Sequence, residues 1–418
     1  SGCKRKMAAS ENKPGTGWSE VLCIGCRDRS CSFEGLTIKR RALQERDVEF
    51  AIRYCGVCHS DLHFAANHLS GVLPTTYPCV PGHEMSGVVT AVGSMVTKVR
   101  VGDHVGVGCI VDSCLDCDAC RRGEEQKCSK QVATYNGKDF SGRASGEAVT
   151  KGGYSTTMVV YDHFAVKIPK NYPLEMAGPV LCSGITVYDP LKKAKVRGKV
   201  VGVVGLGGLG VMAVKLAKAM GASKVTAVSR TSKKKTFATK LGADAFLASE
   251  TDAAAMAANA ATFDLIINTI PTFHDSTEYT RLVKSKGKHV LLGLHAASLA
   301  AMVATGITSG RSKVTFSAIG GIASTQEVVD LCAEENIYPE IQVHPVTEIN
   351  RIYELLDSAN DAGKRYVLDI NASLTDDTFP SLSMGEPTKL RQQNDHTISK
   401  FAIIAHLCKI LTSKSTWF

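Results

Sequence analysis

The sequence predicts an α/β protein of two domains, in which a doubly wound parallel sheet is inserted into a β-rich lobe. The chain has 418 residues, of which 44% are hydrophobic and 21% charged, the balance of a globular protein larger than one ordinary domain. Short β-branched runs broken by glycine and proline fill residues 34–108. Beyond residue 180 the pattern changes to strand, glycine turn, helix and strand, which is typical of a parallel sheet.

The β-rich lobe is predicted from short apolar runs in the first third of the chain. Residues 48–54, 86–92 and 105–107 have the pattern of small antiparallel strands. Because glycines and prolines separate these runs, we expect a compact barrel with tight connections.

The second domain is predicted from one amphipathic helix and five strand-like runs. The helix spans residues 209–220, where apolar residues recur at helical spacing. The strands are predicted at residues 199–204, 224–228, 263–270, 289–294 and 313–319.

The chain beyond residue 320 is predicted to return to the first lobe. Residues 325–335 and 347–359 have helical patterns, and residues 365–370 have the pattern of a closing strand. A polar tail follows, in which residues 398–411 could form one short amphipathic helix. The predicted division is residues 1–182 with 320–372 for the first domain, 183–319 for the second, and 373–418 for a loose tail.

Charge and cysteine content narrow the possible partners and compartments. The net charge of +9 comes from 49 basic and 40 acidic residues spread thinly along the chain, so no nucleic-acid partner is indicated. No run approaches the roughly 20 apolar residues that cross a bilayer, and the polar start lacks the apolar core of a secretory signal. Fifteen cysteines are an odd number and too sparse for a disulfide-stapled module, which favours metal ligation in a reducing compartment, most simply the cytoplasm.

Four cysteines with regular spacing predict a structural metal site in a loop at residues 109–128. They follow the pattern C-x2-C-x2-C-x7-C, and four converging thiolates are a typical tetrahedral zinc site. The residues between them are too polar for coincidental core cysteines. With all four positions filled by protein, the site would stabilise the loop and leave no room for substrate. Its predicted ligands are Cys114, Cys117, Cys120 and Cys128.

A second group, Cys23, Cys26 and Cys31, has only half of such a pattern. No fourth ligand is evident in the sequence, so ordinary free thiols are the favoured interpretation.

Residues 54–63 and 81–87 contain the chemistry of a second candidate site. The first segment holds a thiol, a hydroxyl, two imidazoles and a carboxylate within ten residues, and the second holds His83 and Glu84. Each histidine or cysteine taken singly could equally be a buried core residue. Together they favour a metal centre.

These residues resemble the zinc-dependent alcohol dehydrogenases of the medium-chain dehydrogenase/reductase superfamily. Gly82, His83, Glu84, Gly87, Gly93 and Val96 fit that family's zinc signature, G-H-E-x2-G-x5-[GA]-x2-[IV]. Residues 54–63 and 180–188 are most similar to the cinnamyl alcohol dehydrogenase group. The resemblance runs from about residue 17 to 370 and implies a GroES-like catalytic domain with an inserted Rossmann domain.

The resemblance also implies a role for each residue of the second site. Cys58, His83 and Cys182 are expected to ligate a catalytic zinc, with Glu84 as an alternate ligand. That set leaves one position open, where an aldehyde oxygen can be polarised so that its carbon accepts a hydride. The remaining expectations are a proton relay through Ser60 and His63, an orienting role for Asp61, and for His59 a structural role or a place near the cofactor phosphates.

The glycine-rich segment at residues 205–210 predicts a dinucleotide site. A lone G-x-G-x-x-G motif is weak, but this one follows an apolar strand and opens a helix, where the pyrophosphate can bind the helix N-terminus. Its residues are Gly205, Leu206, Gly207, Gly208, Leu209 and Gly210.

The end of the next predicted strand indicates a preference for NADP(H). An NAD site carries an acidic residue there, whereas this chain has Ser229, Arg230 and Lys234, which can bind a 2′-phosphate. The alternative is that these lysines only form the solvated start of a helix. That interpretation is sufficient to explain Lys233 and Lys235. The resemblance adds further cofactor-lining residues, namely Thr186, Thr269, Gly293, Ser317, Ala318 and Ile319.

The expected function is therefore reduction of an aldehyde by NADPH, with two zinc ions per chain. Reductases of this group carry aromatic residues where this chain has Ala133 and Ala318, so a bulkier or aliphatic aldehyde is expected. A homodimer without nucleic-acid or membrane partners is expected from similar enzymes. Two alternatives stay open, a non-catalytic NADPH-binding protein that retains the fold and a polyol or secondary-alcohol dehydrogenase.

Overall fold

The computed structural model of the protein describes residues 17–71, 73–271, 274, 276–292, 314–358 and 363–382. Three predictions lie outside these residues: the cofactor residue Gly293, the helix at 398–411 and most of the predicted tail. The strands run in chain order from β1 (Trp18–Cys26), β2 (Phe33–Arg41), β3 (Asp47–Val57), β4 (Met85–Val92), β5 (His104–Val107), β6 (Ile110–Asp112), β7 (Val132–Ala133), β8 (Thr157–Tyr161), β9 (Val166–Ile168), β10 (Val200–Val204), β11 (Lys224–Ser229), β12 (Ala245–Ala248), β13 (Phe263–Asn268), β14 (Val283–Leu292), β15 (Val314–Ser317) and β16 (Ile341–Pro345) to β17 (Arg365–Asp369).

The described α-helices are short. A single π-helical turn, Val180–Gly184, connects two of them within the described residues. Single 3-10 turns lie at Glu125–Lys127, Asp162–Phe164, Ser232–Lys234 and Val346–Glu348. None of the helices in the described part of the chain combines the length and apolar composition needed to cross a bilayer. The α-helices are α1 (His59–Ala65), α2 (Asp118–Arg121), α3 (Leu174–Pro179), α4 (Ile185–Lys193), α5 (Gly208–Ala219), α6 (Lys235–Lys240), α7 (Ala253–Ala258), α8 (Thr277–Arg281), α9 (Ile322–Glu334), α10 (Ile349–Asp357), α11 (Ile370–Ser373) and α12 (Phe379–Leu382).

The β-rich domain contains a seven-stranded mixed sheet. Its strands lie in the order β16-β17-β3-β4-β5-β9, with β8 paired to β3, and all pairs except β16–β17 are antiparallel. The two-stranded sheets β1–β2 and β6–β7 complete the domain. The predicted strands at 48–54, 86–92 and 105–107 are confirmed, and β17 returns from the far end of the chain to pair with β3.

The second domain is a six-stranded, entirely parallel sheet in the order β12-β11-β10-β13-β14-β15. This is the doubly wound strand order of a dinucleotide-binding domain, with a crevice where the order reverses beside β10. The α/β fold class is therefore confirmed. The side chains of β10 and β11 are mostly buried on both faces, as a covered parallel sheet requires.

Helix α9 follows the parallel sheet and packs against its domain. Val328, Val329 and Cys332 of this helix are buried in the same apolar cluster as Val201 of β10 and Val214 of α5. The boundary predicted at residue 320 assigns α9 to the first domain, whereas its buried face joins the core of the second.

Residues 374–382 are packed, although the sequence predicts a loose tail from residue 373. Leu374 and Leu382 are buried in the core of the first domain. The ring of Phe379 lies so close to Gly35 of β2 that a Cβ at Gly35 would be 2.9 Å from it. The prediction of a loose tail is therefore wrong for this stretch, because its apolar side chains cover β2.

Candidate active site

Three separate segments bring the predicted ligands of the catalytic metal together. Cys58 is the N-cap of α1, His83 and Glu84 directly precede β4, and Cys182 lies in the π-helical turn between α3 and α4. Their ligand atoms all lie within 4.8 Å of one another, and all four residues are buried. Such π-helical turns are frequent at functional sites, where they redirect a side chain without ending the helix.

The distances between these atoms fit a tetrahedral zinc site. Cys58 Sγ lies 3.9 Å from Cys182 Sγ, and His83 Nε2 lies 3.2 Å from Cys182 Sγ. Zinc–sulfur bonds of about 2.3 Å in tetrahedral geometry would hold two sulfurs about 3.8 Å apart. The hydrogen bond with the Cys182 thiol keeps the pKa of Cys58 well below its usual value although burial opposes this, so Cys58 is predisposed to act as a thiolate ligand.

The carboxylate of Asp61 lies against His83 and contacts three neighbouring segments. Its Oδ1 lies 3.1 Å from His83 Nδ1, which leaves His83 Nε2 facing the two thiols. The same carboxylate accepts hydrogen bonds from the backbone N–H of Cys58 and from the hydroxyl of Tyr154. Burial alone would lower the pKa of His83, but Asp61 raises it well above the usual value. Tyr154 was not predicted, because its contact depends on a segment 93 residues away.

Glu84 is fully buried beside the ligands, and neither carboxylate oxygen has a hydrogen-bond partner among the residues that the structure describes. Its nearest ionic neighbour is Arg365 of β17, whose Nη2 lies 3.5 Å from Glu84 Oε1. Burial raises the pKa of Glu84 to about 7, although Arg365 opposes the shift. Burial would lower the pKa of Arg365, but Glu84 raises it, so the guanidinium stays charged. Two unpartnered oxygens next to three ligands fit an alternate metal ligand.

Arg365 also connects this centre to the dinucleotide crevice. A Cβ on Gly208, the first residue of α5, would lie 3.7 Å from Arg365 Nε. The glycine-rich turn and the candidate metal site are therefore neighbours across the two domains. The sequence suggested only a strand for Arg365, since its partners lie elsewhere in the chain.

Ser60 and His63, the predicted relay residues, both lie on α1. Ser60 Oγ is 3.7 Å from Cys58 Sγ, and His63 Nδ1 is 3.2 Å from His68 Nδ1. His59 Nε2 lies 3.0 Å from the carbonyl oxygen of Leu356 in α10, which favours the structural role for His59. His68 was not predicted, and only the folded chain places it against His63.

Aromatic side chains flank His83 despite the alanines at positions 133 and 318. The ring of Tyr135 is 5.7 Å from the imidazole of His83 and 5.3 Å from the ring of Phe64, centroid to centroid. Tyr135 is only 4% exposed, whereas Ala133 and Ala318 are exposed. A cavity is lined by Cys109, Leu181, Ile319 and Ile322 among others.

The four-cysteine loop has the geometry expected of a second zinc site. The ligand atoms lie within 4.8 Å of one another, and the sulfur atoms are 3.5 Å apart for Cys114 and Cys128, 3.6 Å for Cys117 and Cys120, and 3.8 Å for Cys114 and Cys120. Backbone N–H groups lower the pKa of Cys114 to about 6, whereas burial raises that of Cys120 to about 12. A bound cation would let all four act as thiolates.

The remaining cysteine group behaves as buried thiols. Cys23, Cys26 and Cys31 are fully buried in the first core, and within the described residues they form no metal-binding group. Burial raises the pKa of Cys23 to about 12, and its thiol donates to the carbonyl oxygen of Leu36. The interpretation of this group as ordinary core thiols rather than metal ligands stays a prediction.

Three glycines shape the turn between β10 and α5, each for a different reason. Gly205 has φ +86°, in the left-handed region that disfavours side chains. A Cβ on Gly210 would lie 2.0 Å from the carbonyl oxygen of Gly205, so the helix packs tightly on the turn. A Cβ on Gly207 would meet nothing within 4 Å, which leaves the N-terminus of α5 open to an anion. Thr269 supports the turn by donating to the carbonyl oxygen of Val204.

The predicted 2′-phosphate residues lie beside this turn. Val204 pairs with Val228 in the parallel register, so Ser229 at the end of β11 is next to Gly205. Arg230 is exposed, and Lys234 Nζ lies 3.3 Å from the carbonyl oxygen of Leu206. Thr186 is buried in α4, and residues 317–319 begin at the last residue of the edge strand β15. Lys233 and Lys235 are exposed, as a solvated helix start requires.

Comparison with known protein families gives two matches that together cover most of both domains. An alcohol dehydrogenase GroES-like domain matches residues 44–170, and a zinc-binding dehydrogenase domain matches residues 208–334. The first match contains Cys58, His83 and the four-cysteine loop, and the second begins in the glycine-rich turn. The fold and the two families therefore define an oxidoreductase of the alcohol dehydrogenase type.

Individual relatives agree over nearly their whole length. Vomilenine reductase of Rauvolfia serpentina is 45% identical over 84% of this chain and 95% of its own, and cinnamyl alcohol dehydrogenase 2 of the same plant is 44% identical over 83% and 94%. A cinnamyl alcohol dehydrogenase structure from Sorghum bicolor has a TM-score of 0.76 at 39% identity, covering 85% of this chain and 99% of its own. One from Helicobacter pylori, complexed with NADP(H), has a TM-score of 0.75 at 38% identity, covering 85% and 100%. This chain belongs to the zinc-dependent alcohol dehydrogenases of the medium-chain dehydrogenase/reductase superfamily.

Proposed function

We propose that this protein is a zinc-dependent, NADP(H)-preferring alcohol dehydrogenase that works as an aldehyde reductase. The convergence of Cys58, His83 and Cys182 beside the dinucleotide crevice carries this proposal. Two thiols and one imidazole are a ligand set that leaves a fourth zinc position for substrate. The Helicobacter pylori relative bound to NADP(H) supports the cofactor, and the metal-compatible four-cysteine group supports a second, structural zinc ion.

The chain's own residues account for positioning and proton transfer. Zinc held by Cys58, His83 and Cys182 would supply a Lewis acid that polarises the aldehyde oxygen. Asp61 holds the His83 ring with Nε2 toward the ligand set. Ser60 would donate a proton to the substrate oxygen, and His63 would return a proton to Ser60.

The cofactor preference rests on the end of β11. Arg230 and Lys234 supply positive charge and Ser229 a hydroxyl beside the adenosine side of the crevice, where no carboxylate is present at the strand end. An NAD ribose would lack its acidic partner there, whereas a 2′-phosphate would be neutralised. We assign Thr186, Thr269, Gly293 and residues 317–319 to the rest of the cofactor site.

The substrate class follows from the small side chains at positions 133 and 318. Without large aromatic groups there, the site accommodates an aliphatic or bulky aldehyde, while Tyr135 and Phe64 keep an apolar wall next to His83. We further propose a homodimer, and the cytoplasm as the reducing compartment that the thiol ligands need. A polyol dehydrogenase is the second candidate, since a 45% identical relative from Fragaria ananassa is named a probable mannitol dehydrogenase.

The deciding experiment follows NADPH oxidation at its near-ultraviolet absorbance with a panel of aliphatic and aromatic aldehydes. NADH runs in parallel, and mannitol with NADP⁺ tests the second candidate. We expect NADPH-dependent aldehyde reduction that Cys58→Ser abolishes while NADPH binding is retained, because the variant lacks one thiolate ligand. Cys23→Ser, which changes an equally buried thiol outside the site, should leave turnover within about twofold.

The alternatives predict different results in the same assay. Turnover with mannitol alone would show that the protein is a polyol dehydrogenase and not an aldehyde reductase. No turnover by zinc-loaded protein that binds NADPH would indicate a non-catalytic binding protein, and full activity in Cys58→Ser would exclude the zinc site as the reaction centre.

A further inference from the structure

Glu125 is a buried carboxylate that the reaction does not use. It lies in the 3-10 turn between Cys120 and Cys128 and is 1% exposed. Its Oε1 is 2.7 Å from His163 Nε2, and its Oε2 accepts a hydrogen bond of 3.0 Å from the backbone N–H of Ile322. Burial would raise the pKa of Glu125, but the hydrogen bonds from His163 and from the backbone N–H of Ile322 act together with the charge of His163 to keep the pKa below its usual value. The four-cysteine loop thus presents an ionised carboxylate to another segment.

That other segment is the start of α9, 197 residues further along the chain. Ile322 is the first residue of α9, so Glu125 accepts from an N–H at the positive end of a 13-residue helix. A Cβ on Gly321 would lie 1.9 Å from the carbonyl oxygen of Gly123 and 2.6 Å from Glu125 Oε2. The loop and the residues before α9 are therefore packed without a gap.

The segment that Glu125 holds leads directly into the crevice. Residues 317–319, which we assign to the cofactor site, end three residues before Ile322, and Ile319 and Ile322 line the same cavity beside Cys109. Charge-assisted hydrogen bonds to a buried carboxylate are strong and directional, and their loss leaves the buried N–H of Ile322 without this partner. Movement of the four-cysteine loop would thus be transmitted to the cofactor side of the crevice.

We propose that Glu125 is a positioning residue through which the four-cysteine loop fixes residues 317–322 and thereby sets the affinity for NADP(H). The inference rests on the proposed function for the identity of the cofactor. It assigns the loop a role in cofactor binding in addition to local stabilisation of the chain.

The experiment compares wild type, Glu125→Gln and Gly321→Ala with Glu124→Gln as a control. Glu124 is adjacent in sequence but partly exposed, and its contacts are the surface pairs with Lys127, Arg122 and Lys193. We measure the NADPH dissociation constant by fluorescence, kcat at saturating NADPH, and amide hydrogen exchange of residues 317–326, all at equal zinc content. Gly321→Ala disturbs the same contact from the opposite side without changing the loop.

We expect both test variants to weaken NADPH binding about tenfold, with kcat within about twofold, because the segment is loosened but the reacting groups are intact. Exchange at residues 317–326 should accelerate in both, and Glu124→Gln should match wild type. Unchanged exchange, or faster exchange with unchanged NADPH affinity, would overturn the inference. Failure of wild type to bind NADPH would overturn the proposed function itself, whereas normal binding by all three variants would overturn this inference alone.

Discussion

Asp61 shows how one side chain organises the candidate catalytic centre. Its two oxygens contact the backbone N–H groups of Cys58 and Gly82, the hydroxyl of Tyr154 and Nδ1 of His83. The carboxylate is fully buried, so water cannot replace any of these contacts. These contacts reach α1, the loop before β4 and the segment before β8. The carboxylate therefore fixes both the orientation of the His83 ring and the relative positions of these three segments.

Replacement of this carboxylate tests that role. We expect Asp61→Asn to weaken zinc binding at the Cys58, His83 and Cys182 site by about 10- to 100-fold, because the amide cannot accept from all of these donors or support the His83 tautomer. Competition with a chromophoric chelator measures the affinity. Asp47→Asn, which alters a buried carboxylate paired with Arg41, should destabilise the fold but leave this affinity unchanged. Equal zinc affinity in Asp61→Asn and wild type would refute the orienting role.

At the scale of elements, two glycines in the turn between β10 and α5 differ in their surroundings. Gly210 is needed because the helix packs on the carbonyl of Gly205, whereas Gly207 has open space in front of it. The 12-residue helix α5 begins at Gly208, so its free N–H groups and dipole face that space. One motif therefore contains a glycine required by internal packing and another that leaves open space at the helix N-terminus.

Two alanine substitutions separate these requirements. Gly210→Ala should lower the free energy of unfolding by about 1–3 kcal/mol, because the new methyl group meets backbone that cannot move freely. Gly207→Ala should leave stability almost unchanged but weaken NADPH binding about tenfold or more, since the methyl group occupies the approach of the pyrophosphate. Calorimetry and fluorescence titration provide the two readouts. Similar stability losses in both variants would contradict this separation.

At the scale of the whole molecule, the parallel sheet buries a histidine whose protonation is coupled to folding. His289 of β14 is fully buried, with Nε2 3.2 Å from the Asn268 amide nitrogen and Nδ1 2.9 Å from Thr280 Oγ1. The neutral ring satisfies both partners, accepting at Nε2 and donating at Nδ1. Burial lowers its pKa to about 4, with His274 adding to the shift.

This shift predicts the direction of the pH dependence of stability. The unfolded histidine binds a proton below about pH 6.5, whereas the folded one does so only near pH 4, so the stability present above pH 6.5 is lost as the pH falls. Between pH 7 and 5 we expect a loss of about 2 kcal/mol in the free energy of unfolding of the second domain. Denaturant titrations at both pH values should show that the free energy of unfolding of His289→Gln depends less steeply on pH than that of the wild type. His344→Gln, on β16 of the other domain, should keep the wild-type slope.

The sequence alone determined features that depend on local spacing. The four-cysteine group, the glycine-rich turn and five of the six strands of the parallel sheet were predicted, because ligand spacing, turn conformation and apolar periodicity are properties of short segments. The sixth strand, β12, was not predicted. Cys58, His83 and Cys182 were also predicted, but through a resemblance that supplied the three-dimensional arrangement. The segment at 374–382 was predicted wrongly, since its few apolar residues show no periodicity and gain their packing only against β2.

Only the tertiary structure decided which charged and aromatic groups surround the two sites. Arg365 contacts the carbonyl of Val57 across 308 residues of sequence, and Glu125 contacts Ile322 across 197. Neither position has a local pattern that distinguishes it from a surface charge, because burial and choice of partner arise when distant segments pack together. The same is true of Tyr135 against His83 and His68 against His63. The sequence thus determined the chemistry available to this protein, and long-range packing determined which groups take part in each site.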